Sequence, residues 1–264
     1  MPGNDNEALW RAMWTGDPPL PIHRKRKVLA HIPQGPRCKL CLAPFHGFGA
    51  PLVRLIGIRP SSKNPNFCAV CEAAAEKYPG GAEVELALLF ADLRGSTALA
   101  EKMPPLEFKR RIDAFYATAT SVLIDEDAFV DRLVGDQVVG LFMPGMAGAH
   151  YASKAIQAAR TLVAEVAKKA HLPVGAGVHA GIAFVGTIEG TLGVERDIAA
   201  VGDAVNTTAR LASAAGAGEV LISEDALQRS GFDPAGLEVR QLNLKGKAQP
   251  FTVHIVPAAV PVET

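Results

Sequence analysis

The chain of 264 residues has room for one good-sized core plus a smaller unit. Its 27 basic and 27 acidic residues cancel and its aromatics are scarce, so nothing global favours nucleic acid. The first twenty residues, with Asp5, Glu7, Arg11 and Asp17, are too polar for a signal peptide, and no apolar run reaches the length of a membrane span. The expectation is a soluble cytoplasmic protein with neither a membrane nor a nucleic acid as partner.

Residues 1–35 read as a weakly structured extension. Within it Glu7 to Trp14 has the spacing of a short amphipathic helix, with Leu9, Trp10 and Met13 on one face, which Pro18, Pro19 and Pro21 stop. His23 to Lys27 is a basic run, read as a solvated face or linker. Residues 36–80 hold all four cysteines in two pairs, Cys38 with Cys41 and Cys68 with Cys71, and none is left over. Without a secretion signal, paired CxxC units read as metal ligands rather than disulfides. Each pair can turn two thiolates onto one ion, and two pairs complete a tetrahedral site whose metal supplies much of the stability of so small a segment. Zinc is the first expectation, and an iron centre is the alternative that thiolates also suit. His46 lies near the first pair but is surplus to a four-thiolate site.

From about Gly81 the composition changes to alternating strand-like and helix-like segments. Leu86 to Ala91 is an unbroken apolar run with the length of a buried strand, and it delivers a single carboxylate, Asp92. Gly95 permits a sharp turn, and Ser96 or Thr97 can cap a following helix. Phe108, Ile112, Phe115, Ala119 and Val122 recur at helical spacing. Phe129 to Phe142 then reads as two strand arms around Gly135 and Asp136, a hairpin with Asp136 at its tip. Ile156, Ala159, Val163 and Val166 mark a second long helix, ended by Leu172-Pro173. Val174 to Ile188, with Gly175, Gly177 and Gly181, reads as a strand with close backbone approaches. The order is βαββαβ, which predicts an α+β protein with a ferredoxin-like core and an antiparallel sheet, both helices on one face. A helix from Asp203 to Ala214, with Asp203 as N-cap, and strands at 219–222, 237–242 and 252–256 would extend that sheet.

Asn206 and Arg210 are four apart, so they share one helix face, and Arg offers a fixed fork for phosphate. Taken in order, Phe90-x-Asp92-Leu93-x-Gly95-x-Thr97, Val134-Gly135-Asp136 and Gly202-Asp203-Ala204-Val205-Asn206-x-x-Ala-Arg resemble the class III nucleotidyl cyclase catalytic domain over about residues 84–257. Leu244-Lys245-Gly246-Lys247 fits as well. The domain is expected to span 81–258, with a tail at 259–264. The resemblance implies that Asp92 and Asp136, with the Leu93 carbonyl as a further ligand, hold two Mg²⁺ or Mn²⁺ ions. Gly95, Ser96 and Thr97 would line the substrate, Asn206 and Arg210 would orient the ribose and stabilise the transition state, and Lys245 would reach the terminal phosphates. It also implies a head-to-tail homodimer, because in this family one subunit supplies the carboxylates and the other the transition-state residues.

Two positions depart from the adenylyl cyclase pattern. Arg132 stands where those enzymes place a purine-reading lysine, and Ala199 stands where they place an aspartate or threonine. Alanine offers no side-chain hydrogen bond, and arginine donates but cannot accept. Asp197 could compensate only through a shift of its loop. ATP conversion to 3′,5′-cyclic AMP is the default expectation, with guanine and pyrimidine nucleotides open. A cyclic-dinucleotide or polymerase-type reaction would leave the Asn206/Arg210 helix without a use. A non-catalytic ligand-sensing or partner-binding dimer is the reading outside enzymology.

Overall fold

The computed structural model describes residues 6–17, 27–29, 31–32, 36–61, 64–188, 197–247 and 249–258. The basic residues from His23 to Arg26 and the 259–264 tail lie outside them, as do the side chains of Arg132 and Asp197. The chain divides into two compact units. The first gathers residues 1–84, 143–149 and 184–200, and the second 85–142, 150–183 and 201–264.

In the first unit, α1 (Glu7–Thr15), α2 (Ala50–Leu55) and α3 (Ala69–Lys77) surround the cysteine segment. The helix expected near residues 7–14 forms, and it is not part of a loose extension. Trp10 and Trp14 are fully buried, since two indoles bury more apolar area than any other pair of side chains the segment could offer. The Trp14 ring stacks on Phe67 at 6.2 Å, and its Nε1 donates to the Val185 carbonyl at 3.1 Å. Trp10 Nε1 donates to the Tyr78 carbonyl at 2.9 Å. A Cβ on Gly145 would stand 2.2 Å from the Met13 carbonyl oxygen, so only glycine lets the short helix α6 (Pro144–Ala147) approach α1 this closely.

The remaining elements are β1 (Gly81–Leu93), α4 (Ser96–Glu101), α5 (Pro105–Asp125), β2 (Phe129–Val134), β3 (Gln137–Phe142), α7 (Tyr151–Lys169), β4 (Val174–Ile188), β5 (Asp197–Val201), α8 (Asp203–Ala214), β6 (Glu219–Ser223), α9 (Glu224–Ser230), β7 (Glu238–Leu242) and β8 (Phe251–Pro257). Among the described residues one eight-stranded sheet runs β2-β3-β1-β4-β6-β8-β7, with β5 paired to β4. Leu86 to Ala91 is buried throughout, as a central strand flanked on both edges requires. The expected helix faces go inward: Phe115, Ala119 and Val122 on α5, and Ile156, Ala159, Val163 and Val166 on α7.

This is the expected α+β fold, with a mixed sheet. The β1–β3, β2–β3, β6–β8 and β7–β8 pairs are antiparallel, whereas β4 and β6 run parallel. The chain between β4 and β6 passes through α8, and a helical crossover returns the next strand in the same direction. β5 and α9 had no sequence signal strong enough to be expected. The close approaches foreseen on β4 are present in the second unit. A Cβ on Gly177 would lie 2.5 Å from the Ala212 amide nitrogen, and one on Gly175 would lie 2.8 Å from the Ala215 carbonyl oxygen. α8 therefore rests directly on the β4 backbone. Gly177→Ala is expected to push α8 outward and to lower stability by about 1–3 kcal/mol, the usual cost of overpacking. Chemical denaturation of the purified variant measures it.

Candidate active site

β1 ends where its buried run meets the β2–β3 turn. The register pairs Asp92 with Gln137, and the Leu93 amide donates to the Asp136 carbonyl at 3.1 Å. Asp92 and Asp136 therefore stand side by side, as the sequence predicted. Gly135 takes φ +63°, the left-handed conformation the hairpin turn needs, and its carbonyl accepts from the Tyr116 hydroxyl at 2.7 Å. Tyr116, on α5, thus steadies the turn that carries Asp136. Gly95 at φ +71° makes the sharp turn after β1.

The cap expected from Ser96 or Thr97 is not made; the N-cap position is Gly95 and no side chain caps α4. Ser96 instead donates its hydroxyl to the Asp136 carboxylate, a charge-assisted bond stronger than one to a neutral acceptor. Thr97 is exposed. Arg94, which the sequence reading passed over, pairs with Asp92 and donates from Nη1 to the Ser213 carbonyl at 3.1 Å, while its amide donates to Pro173 at 2.8 Å. It therefore ties the carboxylate end of β1 to the C-terminal end of α8. Its only sequence signal was adjacency to Asp92.

Burial pushes the Asp92 carboxyl above its ordinary range; Arg94 pulls it down and the Asp136 charge pushes it up again. One guanidinium thus incompletely balances two adjacent carboxylates. That excess negative charge at a strand end, with a backbone carbonyl beside it, is the donor set that hard divalent cations take.

The second group of predicted residues gathers around α8. Asp203 is not the N-cap, which is Gly202; its carboxylate accepts from Lys247 Nζ at 2.5 Å, and that bond holds the Asp203 carboxyl below its usual range. Asn206 is exposed. Arg210 lies over the β7–β8 turn, where a Cβ on Gly246 would stand 3.6 Å from its Nη2. Lys245 is exposed on the same turn. The carboxylates sit at the end of β1 and in the β2–β3 turn, whereas the turn facing Arg210 joins β7 to β8, beyond β4 and β6 in sheet order. The structure thus gathers the predicted residues of the second unit into two separate groups. Ala199 is buried on β5, in the first unit, and carries no polar side-chain atom.

The cysteines of the first unit come together as expected. Four Sγ atoms, of Cys38, Cys41, Cys68 and Cys71, all lie within 4.8 Å of one another. The Cys68 amide donates to Cys38 Sγ at 3.3 Å and the Cys71 amide to Cys68 Sγ at 3.4 Å. Leu42 at φ +62° closes the first turn. The Cys71 thiol is pushed up by hydrogen bonds with the other three sulfurs and by burial, whereas those of Cys38, Cys41 and Cys68 are lowered within the cluster. His46 is exposed and outside the cluster.

The chain belongs to the adenylate and guanylate cyclase catalytic domain family, whose profile matches residues 82–256. It is 27% identical over 188 residues to an adenylate cyclase of Anabaena cylindrica, covering 66% of this chain and 37% of that protein. The chain thus spans about a third of the length of the curated relatives it matches. Among solved structures, the guanylyl cyclase Cya2 superposes with TM-score 0.62 at 23% identity, covering 69% of this chain and 97% of that one. The adenylyl cyclase CyaB of P. aeruginosa superposes with TM-score 0.59 at 23% identity, covering 67% and 96%. These two likenesses establish the fold.

His179 is expected to make the stability of the second unit depend on pH. It is buried on β4, its Nδ1 is 2.8 Å from Ser223 Oγ, and its ring meets Phe251 edge-on. Burial holds its pKa below the ordinary value; Asp225 and Asp203 act against that shift, and Lys247 and Arg229 with it. A histidine kept neutral in the fold takes up its proton preferentially on unfolding. Stability is therefore full above the unfolded value, about 6.5, and falls as pH drops below it. Thermal unfolding between neutral and mildly acidic pH measures the decline, and His179→Gln is expected to flatten it.

Proposed function

We propose that the protein is a class III nucleotidyl cyclase converting a nucleoside triphosphate, ATP first, to the 3′,5′-cyclic monophosphate and pyrophosphate. The observation that carries this reading is the side-by-side placement of Asp92 and Asp136. Those carboxylates and the Leu93 carbonyl would hold two Mg²⁺ or Mn²⁺ ions. Bound there, the ions would supply charge neutralisation and would lower the pKa of the ribose 3′-hydroxyl, whose proton would pass to solvent as its oxygen attacks the α-phosphorus. The new bond joins the 3′-oxygen to that phosphorus, and the bond to the β-phosphate breaks as pyrophosphate leaves.

The chain's own groups do the rest. Ser96 fixes one oxygen of Asp136, leaving the other free for the cation. Gly95 and Thr97 border the phosphates. Arg94 neutralises Asp92 until a cation replaces it. Asn206 orients the ribose, Arg210 meets charge developing on the phosphoryl oxygens, and Lys245 reaches the terminal phosphates. Lys247 holds Asp203 and thereby fixes the lysine turn to α8.

One chain holds the two half-sites apart, which supports a head-to-tail homodimer with two equivalent sites. Exposed Ile182 on β4 and Val201 on β5 offer apolar surface for such a pairing. The family's presence in both adenylyl and guanylyl cyclases, with Ala199 unable to read a base edge, keeps guanylate or pyrimidine cyclase as the alternative specificity. We place the enzyme in the cytoplasm, where triphosphates are abundant. No described helix is long and apolar enough to cross a membrane.

Incubation with ATP, GTP, CTP and UTP plus Mn²⁺ should yield one predominant cyclic product by mass. Asp92→Ala and Asn206→Ala should each be inactive while folded. Co-expression of the two should restore about a quarter of wild-type activity, because half of the dimers are mixed and each then has one intact site. Absence of any cyclic product from the wild type would favour the non-catalytic, ligand-sensing dimer. Zinc is the proposed ion of the four-cysteine cluster, with iron as the alternative. Elemental analysis should give one zinc per chain, and a chelator should unfold the first unit, seen as exposure of Trp10 and Trp14 in fluorescence.

A further inference from the structure

Helix α2 in the four-cysteine unit is inside out. The side chains it turns inward are small, Ala50 and Val53, whereas its large apolar side chains face water. Phe48 is 91% exposed, Leu52 67%, Leu55 85% and Ile56 70%. Leu52, Leu55 and Ile56, the last at the C-cap, share one face at helical spacing, and Phe48 stands exposed in the turn just before the helix, so the segment carries a concentration of apolar surface. Such a patch on a surface is a site of association rather than a packing accident.

The charge around it is one-sided. Between Asp17 and Glu72 the sequence has nine Lys and Arg and no Asp or Glu. Arg54 and Arg59, both exposed, stand within and just after the helix; Arg54 Nη2 also donates to the Phe45 carbonyl at 3.3 Å. A protruding apolar face with Arg54 and Arg59 beside it, on a stretch of chain whose only charges are basic, is complementary to one kind of partner, an anionic lipid headgroup layer over a hydrocarbon interior. A second copy of the same face would bring like charges together. Nucleic acid would use stacking aromatics, and here Phe48 stands among aliphatic side chains.

We propose that the four-cysteine unit docks peripherally on an anionic phospholipid bilayer, with Phe48, Leu52, Leu55 and Ile56 entering the interface and Arg54 and Arg59 on the headgroups. This revises the expectation of no membrane partner. That expectation rested on the lack of a spanning run, and a docking helix needs none. The metal cluster serves as the rigid base that holds α2 outward, since Cys41 and the buried Ala43 and Phe45 lie immediately before it.

The test is flotation of the full-length, metal-loaded protein with vesicles of phosphatidylcholine alone, or with about one third phosphatidylglycerol. The protein should bind the anionic vesicles at least about tenfold more tightly than the neutral ones, and binding should weaken with salt. Leu52→Ser/Leu55→Ser should reduce that binding by about tenfold or more. Arg54→Gln/Arg59→Gln should weaken it and lower its salt dependence. Neither pair touches the catalytic groups, so cyclase activity in solution and metal content should match the wild type. Equal binding to both vesicle types overturns the proposal, as does unaltered binding by the Leu double variant. It is also overturned if no vesicle is bound while the Leu variant dissociates an oligomer on gel filtration, which would make the face a contact between copies. Should the Leu variant lose its metal, the Arg variant decides, because its substitutions remove no apolar surface.

Discussion

The placement of the two neighbouring carboxylates hangs on the pairing of β1 with β3. Their register puts Asp92 opposite Gln137, so the next residue back along the hairpin, Asp136, must stand beside it. A slip of one residue would turn each side chain to the opposite face of the sheet and part the two carboxylates. The pairing is locked by burial: Leu86 to Ala91 faces protein on both sides, and Val138 to Phe142 is buried opposite. The apolar core thus does the work of holding two negative charges together, at the cost recorded in the raised Asp92 pKa.

Arg94 is the counterweight. It is drawn to Asp92 by charge and to α8 by the unsatisfied carbonyls at that helix's C-terminal end, which favour a cation. It links the carboxylate end of β1 to the helix that bears Asn206 and Arg210. Glycines on β4 bring that helix down onto the sheet, and the Lys247–Asp203 pair fastens the lysine turn to its first residue. The second unit therefore braces two groups of polar side chains, one at the end of β1 and one around α8.

The four-cysteine unit follows a different logic. Its four cysteines come from two segments joined by thirty residues or fewer, and Trp10 and Trp14 supply the apolar mass that the cysteine segment lacks. A core of indoles and a thiolate cluster leaves α2 free of the usual duty of burying its apolar side chains.

How much could be read without coordinates follows from the range of each interaction. The strand at Leu86, the Asp136 hairpin, the α8 boundaries and the convergence of the four cysteines were legible, because periodicity, turn chemistry and CxxC spacing are local signals. The glycine approaches on β4 were legible too, since a glycine inside a strand pattern has few other uses. The caps were misread. Ser96 and Asp203 had the right residue type for capping, but a carboxylate 40 residues away and a lysine 44 residues away offered stronger, charged partners. The role of Arg94, the burial of Trp10 and Trp14, the parallel β4–β6 pair and the outward apolar face of α2 were decided by the tertiary structure alone. Each depends on what lies across from a residue in space, and that is fixed only when distant segments have packed.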